Sequence, residues 1–426
     1  MNNYTETIAY LYSRLPMFTR IGPAAYKSGL GNITALCEHL HHPQKQYRTI
    51  HIAGTNGKGS TSHMLAAILQ EAGYKTGLYT SPHLKDFSER IRINGIPVSQ
   101  QAIIDFVQDH RLFFESLSAS FFEVTTAMAF KLFADHQIDV AVIETGLGGR
   151  LDSTNIIAPD LSIITNISLD HTDLLGDSLP KIAFEKAGII KANTPVVLSE
   201  RQTETEAVFY LKAKSEDAPI YFASDFYQAA GYERFNHFAK YQFHHQPEPV
   251  SVACDLTGLY QMKNIAGVLT ACDVLNEYGY MIHEDMIHRA LSTVKIKTGL
   301  RGRWDLLQEK PTILADVGHN EGGLIETIQQ LKSTGKKLHF VIGFVKDKDV
   351  NKIITLFPKD ATYYFCKPDL PRGLDVNELL QIASAHHLNG IACNRVSEAL
   401  QKAKTQANAD DIIYIGGSTF VVAEVL

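Results

Sequence analysis

A chain of 426 residues, 45% hydrophobic and 20% charged, is long enough to bury a sizeable core in two to three domains without metals or disulfides. Its 40 Lys+Arg against 46 Asp+Glu leave a formal net charge of -6, which gives no general attraction for nucleic acid or an anionic membrane. Five scattered cysteines (Cys37, Cys254, Cys272, Cys366, Cys393) form no C-x-x-C pair, the N-terminus is polar and no run of 18 apolar residues occurs, so the sequence predicts a reduced, cytoplasmic protein, neither secreted nor membrane-spanning.

YRTIHIA (47 to 53) predicts a buried strand that leads into HIAGTNGKGST (51 to 61). This loop departs from Walker A, because five places before Gly57 stands Ile52 and Lys58 is followed by Gly59 rather than by a hydroxyl. A phosphate cradle needs glycine where the chain turns to positive φ or comes close to the phosphate, a helix N-terminus behind it, and a lysine for the outer phosphates. Gly54, Gly57 and Gly59 supply the first, an amphipathic helix starting near Ser60 the second, and Lys58 the third.

KTGLYT, DVAVIE, LSIITN and TPVVLS repeat the buried-strand pattern with helices or long loops between them, which predicts a mostly parallel sheet covered by helices. Glu144 ends DVAVIE, and a buried carboxylate there is costly unless paired or metal-bound; Mg²⁺ beside nucleotide phosphates takes such a ligand. Gly146, Gly148 and Gly149 then suggest backbone closing on a ligand. ISLDHTDLLG gathers Asp170, His171 and Asp173 at one loop, while Lys186 of FEKAGIIK, on a short predicted helix, reads by itself as a solvated lysine.

Residues 200 to 258 break the rhythm: APIYFAS, NHFAKYQFHH and PVSVACDL predict a small appended antiparallel sheet. A helix over 261 to 278 and the basic, glycine-punctuated KIKTGLRGRWDLL follow, and the boundary is placed there, giving domains 1–297 and 298–426. PTILADVGHN, KLHFVIGF, ATYYFC and DIIYIGG predict the smaller C-terminal domain, again α/β and Rossmann-like.

Taken in order, HIAGTNGKGST, YTSPHL, SERIRING, VIETGLGGRLDSTN, SLDHTDLLG, EKAGIIK and DVGHNEGG resemble the folylpolyglutamate synthases and dihydrofolate synthases of the Mur ligase superfamily, over about residues 20 to 420. The resemblance implies a P-loop ATPase domain and an ATP-dependent ligase, a monomer, that joins L-glutamate to folates and to dihydropteroate through an acyl phosphate. It places Gly54, Thr55, Asn56, Gly57, Lys58, Gly59, Ser60 and Thr61 on the nucleotide, with Lys58 meeting the β and γ phosphates. Ser81 and Glu144 would bind one Mg²⁺ and His171 a second, with K⁺ a further candidate ion. Lys186 would be carbamylated and support the second metal, which completes a catalytic set of Lys58, Glu144, His171 and Lys186.

From the smaller domain, Asn264, Arg303, Asp316 and His319 match positions used around adenine, phosphate and ribose. The loop SPHLKDFSERIRING with His83, Phe122 with Glu123, and Arg150 and Asp152 match positions lining the pteroyl pocket. Gly318 and Glu321 depart from the family's D-x-A-H-N-P. GGRLDSTN and the compact YTSPH loop look like the bacterial members with both activities. The alternatives are folylpolyglutamate synthase activity alone, a Mur-type ligase acting on another carboxylate, and a P-loop module that only hydrolyses ATP. Gly59 after the lysine argues against the Mur-type reading.

Overall fold

Apolar runs that end at loops become the strands of one large sheet. The computed structural model describes residues 3–17, 29–235 and 237–426. In it β1 (Arg48–Ala53), β2 (Thr76–Tyr79), β3 (Ile91–Ile93), β4 (Ile96–Pro97), β5 (Val140–Glu144), β6 (Leu161–Ile164), β7 (Val196–Leu198) and β8 (Ile220–Phe222) lie in the order β4-β3-β2-β5-β1-β6-β7-β8. Pairing is parallel from β2 to β8, and β3 and β4 add an antiparallel edge. Strands β5 and β6 are buried throughout and β1 is buried from Thr49 on, as expected of parallel strands covered on both faces.

After β1 the chain crosses to β2, returns to β5, then moves to β6 on the other side of β1. The strand order therefore reverses around β1, and in open α/β sheets such a reversal opens a crevice at the carboxyl ends of the strands. Register sets Ile52 of β1 beside Glu144 of β5, and Ala53 beside Ile164 of β6, so the loops that follow these strands emerge together.

Two expectations are corrected here. The helix after the glycine loop runs Lys58–Glu71, two residues earlier than expected, and it is buried continuously from Gly59 to Leu69 rather than amphipathic. Its other side is covered by the helices Glu284–Leu291 and Val294–Thr298, which the local sequence does not announce. APIYFAS is likewise not part of the appended sheet: the helix Thr203–Ser215 returns the chain so that β8 pairs parallel with β7.

The appended sheet consists of β9 (Gln228–Arg234), β10 (Ala239–His244) and β11 (Val250–Cys254), in the order β11-β10-β9. In β10, Ala239, Tyr241 and Phe243 are buried while the residues between them are exposed, the period of two of a half-buried strand.

Two compact units result: Met1–Gly231 with Tyr241–Cys254 and Met262–Gly299, and Tyr232–Lys240 with Asp255–Gln261 and Leu300–Leu426. Two short segments before residue 298 thus belong with the smaller unit. That unit carries β12 (Asp305–Gln308), β13 (Thr312–Ala315), β14 (Leu338–Ile342), β15 (Thr362–Cys366), β16 (Gly390–Cys393) and β17 (Ile412–Gly416), ordered β12-β13-β17-β14-β15-β16, with only β12 antiparallel. Alternate residues feed two cores: Phe340 and Phe365 pack on one face, Val341 and Tyr364 on the other. All five cysteines are buried and outside any disulfide, and no helix among the described residues is long and apolar enough to cross a membrane.

Candidate active site

The loop after β1 turns on two glycines that have no room for a side chain. Gly54 has φ 145 and Gly57 φ 86; a Cβ would collide with Thr165 Oγ1 at the first and with Asn264 Oδ1 at the second. The segment after β6 clamps the loop from outside. Thr55 N–H donates to Asn166 O (2.8 Å), Asn56 N–H to Asn166 Oδ1 (2.9 Å), and Ser168 N–H to Thr55 Oγ1 (3.0 Å). Held in this way, the loop delivers Gly57 as N-cap of the helix Lys58–Glu71, and no side chain caps it. The first N–H groups of a helix without such a cap, at the positive end of its dipole, form a site for an anion.

Two lysines meet over this loop. Lys58 Nζ donates to Gly54 O (3.0 Å) and Thr55 O (3.2 Å), and Lys186 Nζ donates to the same Gly54 O (2.8 Å). Lys186 is not solvated. It is 4% exposed on the helix Leu179–Ala187, and burial, followed by the charge of Lys58, lowers its pKa to about 7, opposed by Asp170 and Asp152.

Close packing at glycines accounts for that burial and tightens the loop after β5. A Cβ at Gly146 would strike the Phe122 ring, one at Gly149 would crowd the carbonyls of Glu185 and Lys186, and one at Gly188 would strike the backbone of Arg150. These glycines let the loop after β5 press against the lysine-bearing helix.

At the neighbouring strand ends, Ser81 N–H donates to Glu144 Oε2 (3.3 Å), and Thr145 N–H donates to Ile52 O (2.9 Å). Glu144 is 4% exposed, and among the described residues the buried hydroxyls of Thr61 and Thr145 have no hydrogen-bond partner. A buried carboxylate at a strand end suits a hard cation such as Mg²⁺, which keeps few protein ligands and takes the rest from phosphates and water. Ser81 and Glu144 are therefore brought together. His171 heads the short helix Thr172–Leu175 with φ 49, its Nε2 3.9 Å from Asp170 Oδ2. Among the described residues no three His, Cys, Asp or Glu side chains converge.

The residues expected around the pteroyl pocket fall into two groups. Phe122 lies against Gly146 and Tyr79, and His83 is stacked on Tyr12 at 6.2 Å. His83 accepts from Arg90 Nε at Nδ1 (2.7 Å), so its proton sits on Nε2, 3.1 Å from Tyr12 Oη. Burial, then the Arg90 charge, lowers its pKa to about 3, leaving a neutral ring.

Asp152 and Glu123, by contrast, have structural partners. Asp152 accepts from Thr154 N (3.0 Å) and Thr154 Oγ1 (2.6 Å) at one oxygen and Leu147 N (2.7 Å) at the other; Glu123 closes a capping box with Ser120. Arg150 pairs with Glu185 at 2.9 Å.

Asn264 stands beside Gly57 and belongs to the larger unit, a correction to its expected place in the smaller domain. In the smaller unit Asp316 is a buried hub that accepts from Tyr260 Oη (2.6 Å), Trp304 N (2.8 Å) and Gly318 N (2.8 Å). Burial raises its pKa against those bonds and the charge of Arg303. His319 Nδ1 lies 3.0 Å from Val317 O, and Arg303 Nη1 donates to Gly302 O (3.3 Å).

Sequence reasoning missed the clamp of Thr165, Asn166 and Ser168, and the part that Tyr12 plays beside His83 and Arg90 of the SPHLKDFSERIRING loop. Only a polar Asn directly after an apolar strand hinted at the clamp.

Comparison with known proteins agrees with this geometry. The sequence pattern of the Mur ligase middle domain matches residues 52–272, and that of the Mur ligase, glutamate ligase domain matches residues 302–419. The dihydrofolate synthase/folylpolyglutamate synthase of Bacillus subtilis (strain 168) is 32% identical over 437 aligned residues, covering 99% of this chain and 98% of that protein. The folylpolyglutamate synthase of Lacticaseibacillus casei is 33% identical over 393 residues, 87% of each chain. Among solved structures, E. coli FolC in complex with DHPP and ADP superposes with a TM-score of 0.84 at 28% identity, covering 100% of this chain and 97% of that one. The chain therefore belongs to the Mur ligase family and, within it, to the dihydrofolate synthase/folylpolyglutamate synthase family.

Proposed function

We propose that the protein is an ATP-dependent ligase that joins L-glutamate to the carboxylate of a folate, and of dihydropteroate, through an acyl phosphate. The observation that carries this reading is the pair of lysines on Gly54 O beside the uncapped helix N-terminus, with Ser81 and Glu144 joined at the neighbouring strand ends. A relative that acts on both substrates aligns over nearly the whole chain, which supports the substrate class.

The chemistry divides one hard step into two. A carboxylate oxygen attacks the γ-phosphorus and ADP leaves; the glutamate amine then attacks the acyl carbon, phosphate leaves, and the amine loses a proton. Catalysis of phosphoryl transfer is mainly positioning and charge stabilisation. The N–H groups at the head of the helix Lys58–Glu71 would cradle the phosphates, and Lys58 would leave its two loop carbonyls to meet the outer ones. Glu144 and Ser81 would hold a magnesium ion, which neutralises phosphate charge when bound.

His171 and Lys186 are proposed to serve a second ion, with Lys186 as its carbamate. A pKa lowered to about 7 supports this, because only the neutral amine adds CO₂, losing one proton as it becomes an anion. Arg303, Asp316 and His319 are proposed to act on the nucleotide, and Asn264 through the loop it touches.

ADP release tests the reading: it should require both a pteroyl acid and glutamate. Release that depends on neither would identify an ATP-hydrolysing module. The similar identity to the L. casei folylpolyglutamate synthase favours one second reading, extension of folates alone. Failure to form dihydrofolate from dihydropteroate, with tetrahydrofolate still extended, would select it.

A further inference from the structure

Arg90 closes the 3-10 turn Phe87–Arg90 and is 3% exposed. A buried guanidinium needs a carboxylate or several carbonyl oxygens around it, because arginine does not neutralise itself by losing its proton. Among the described residues Arg90 is hydrogen-bonded to neither, and the carboxylates of Glu144 and Glu89 act on it only through space. Its one side-chain hydrogen bond runs from Nε to His83 Nδ1 (2.7 Å), and its guanidinium carbon otherwise lies 5.2 Å from the centre of the Phe121 ring. Neighbouring Arg92, also buried, at least rests Nη1 on the carbonyl of Gly95 at 3.2 Å.

The surroundings of Arg90 hold it by one edge. His83, as the Nε2–H tautomer stacked on Tyr12, presents Nδ1 to Nε of Arg90, and Arg90 O accepts from Thr80 N–H (3.0 Å). The next residue is Ser81, whose N–H reaches Glu144, and Glu144 acts on the Arg90 charge through space. The Nη edge, which carries four of the five N–H donors of a guanidinium, makes no hydrogen bond among the described residues.

A substrate carboxylate brought beside Glu144 and a polyphosphate meets strong like-charge repulsion, which a fixed cation offsets. A planar guanidinium also matches a carboxylate in bidentate fashion. We propose that Arg90 anchors the carboxylate to be activated, receiving it at its Nη edge, with His83 and Tyr12 as positioning residues. The inference rests on the ligase reading above.

The test pairs a change in the ligand with a change in the protein. Binding of tetrahydrofolate and of its γ-carboxamide is measured by calorimetry in the presence of MgADP, for the wild type and for Arg90→Gln, with thermal melting to check the fold. Wild type should prefer the acid over the amide by about 10- to 100-fold, and Arg90→Gln should reduce that ratio to near 1. An undiminished ratio in folded Arg90→Gln, even with activity lost, overturns the inference and leaves Arg90 as a countercharge to Glu144. If Arg90→Gln does not fold, Arg90→Lys takes its place: a reduced ratio supports the anchor and an unchanged ratio overturns it. Wild-type protein that binds neither compound overturns the ligase reading itself, a failure distinguishable because it precedes any substitution.

Discussion

Lys58 and Lys186 donate to one carbonyl oxygen, that of Gly54, at 3.0 and 2.8 Å, so a single backbone atom joins the phosphate loop to the helix Leu179–Ala187. Two ammonium groups on one acceptor repel each other. The deeper one, Lys186, has the lowered pKa.

That shift makes stability depend on pH. Lys186 falls from 10.5 to about 7 in the folded chain, so between those values the unfolded chain binds more protons and stability rises with pH; it is lost again as pH falls toward 7. At roughly 1.4 kcal/mol per unit, the effect amounts to several kcal/mol. Lys186→Met should therefore raise the melting temperature near pH 6 and flatten the climb between 7 and 10, while ligase activity is lost. Native mass spectrometry of wild type should find one added CO₂ that mild acid removes, and an unmodified mass would contradict the carbamate.

Lys58→Ala should leave the fold intact and reduce turnover about 10²- to 10³-fold, the usual cost of deleting one charge-stabilising group. Steady-state kinetics with saturating glutamate measures it; the same loss accompanied by a collapsed melting temperature would instead mark Lys58 as structural.

Gly57→Ala should destabilise by about 1 to 2 kcal/mol from its positive φ alone, with a further loss from collision with Asn264 Oδ1. Combining it with Asn264→Ala in urea denaturation should recover the collision but not the backbone part. Additive losses would show that the two residues do not touch.

Asp152→Ala removes the acceptor of three hydrogen bonds in the loop before Ser153, and burial raises the carboxyl pKa against them. A loss of about 2 to 4 kcal/mol is expected, with KM for the pteroyl acid unchanged in the fraction that stays folded. A raised KM with unchanged stability would show instead that Asp152 acts on the substrate.

His83 should stay neutral across pH 5 to 8, since its pKa is lowered from 6.5 to about 3. Nitrogen NMR should find a proton on Nε2 throughout. A ring titrating near 6.5 would show that the contacts with Arg90 and Tyr12 do not persist.

Much of this was legible in sequence because it rests on local rules. Buried parallel strands are continuous apolar runs, and glycine at 54 and 57 answers a backbone need. The burial of Lys186 was not legible, since its helix also carries exposed Lys181 and Phe184, and only the meeting of Gly149 and Gly188 with their neighbours decides which lysine is buried. The clamp on the loop joins residues about 110 positions apart, as Asn56 to Asn166, and no local period encodes such a bond. The bonds of Asp152 to Leu147 and Thr154 were not legible either, because a loop staple and a ligand contact favour the same residue types.

The most direct measurement is MgATP-dependent incorporation of labelled glutamate into tetrahydrofolate and dihydropteroate by the purified protein, with Lys58→Ala and Glu144→Ala beside it. The account predicts labelled product from wild type, no incorporation without ATP, and at least a hundredfold loss in both variants. Full activity in both variants, or no product from either pteroyl acid with wild type, would contradict it.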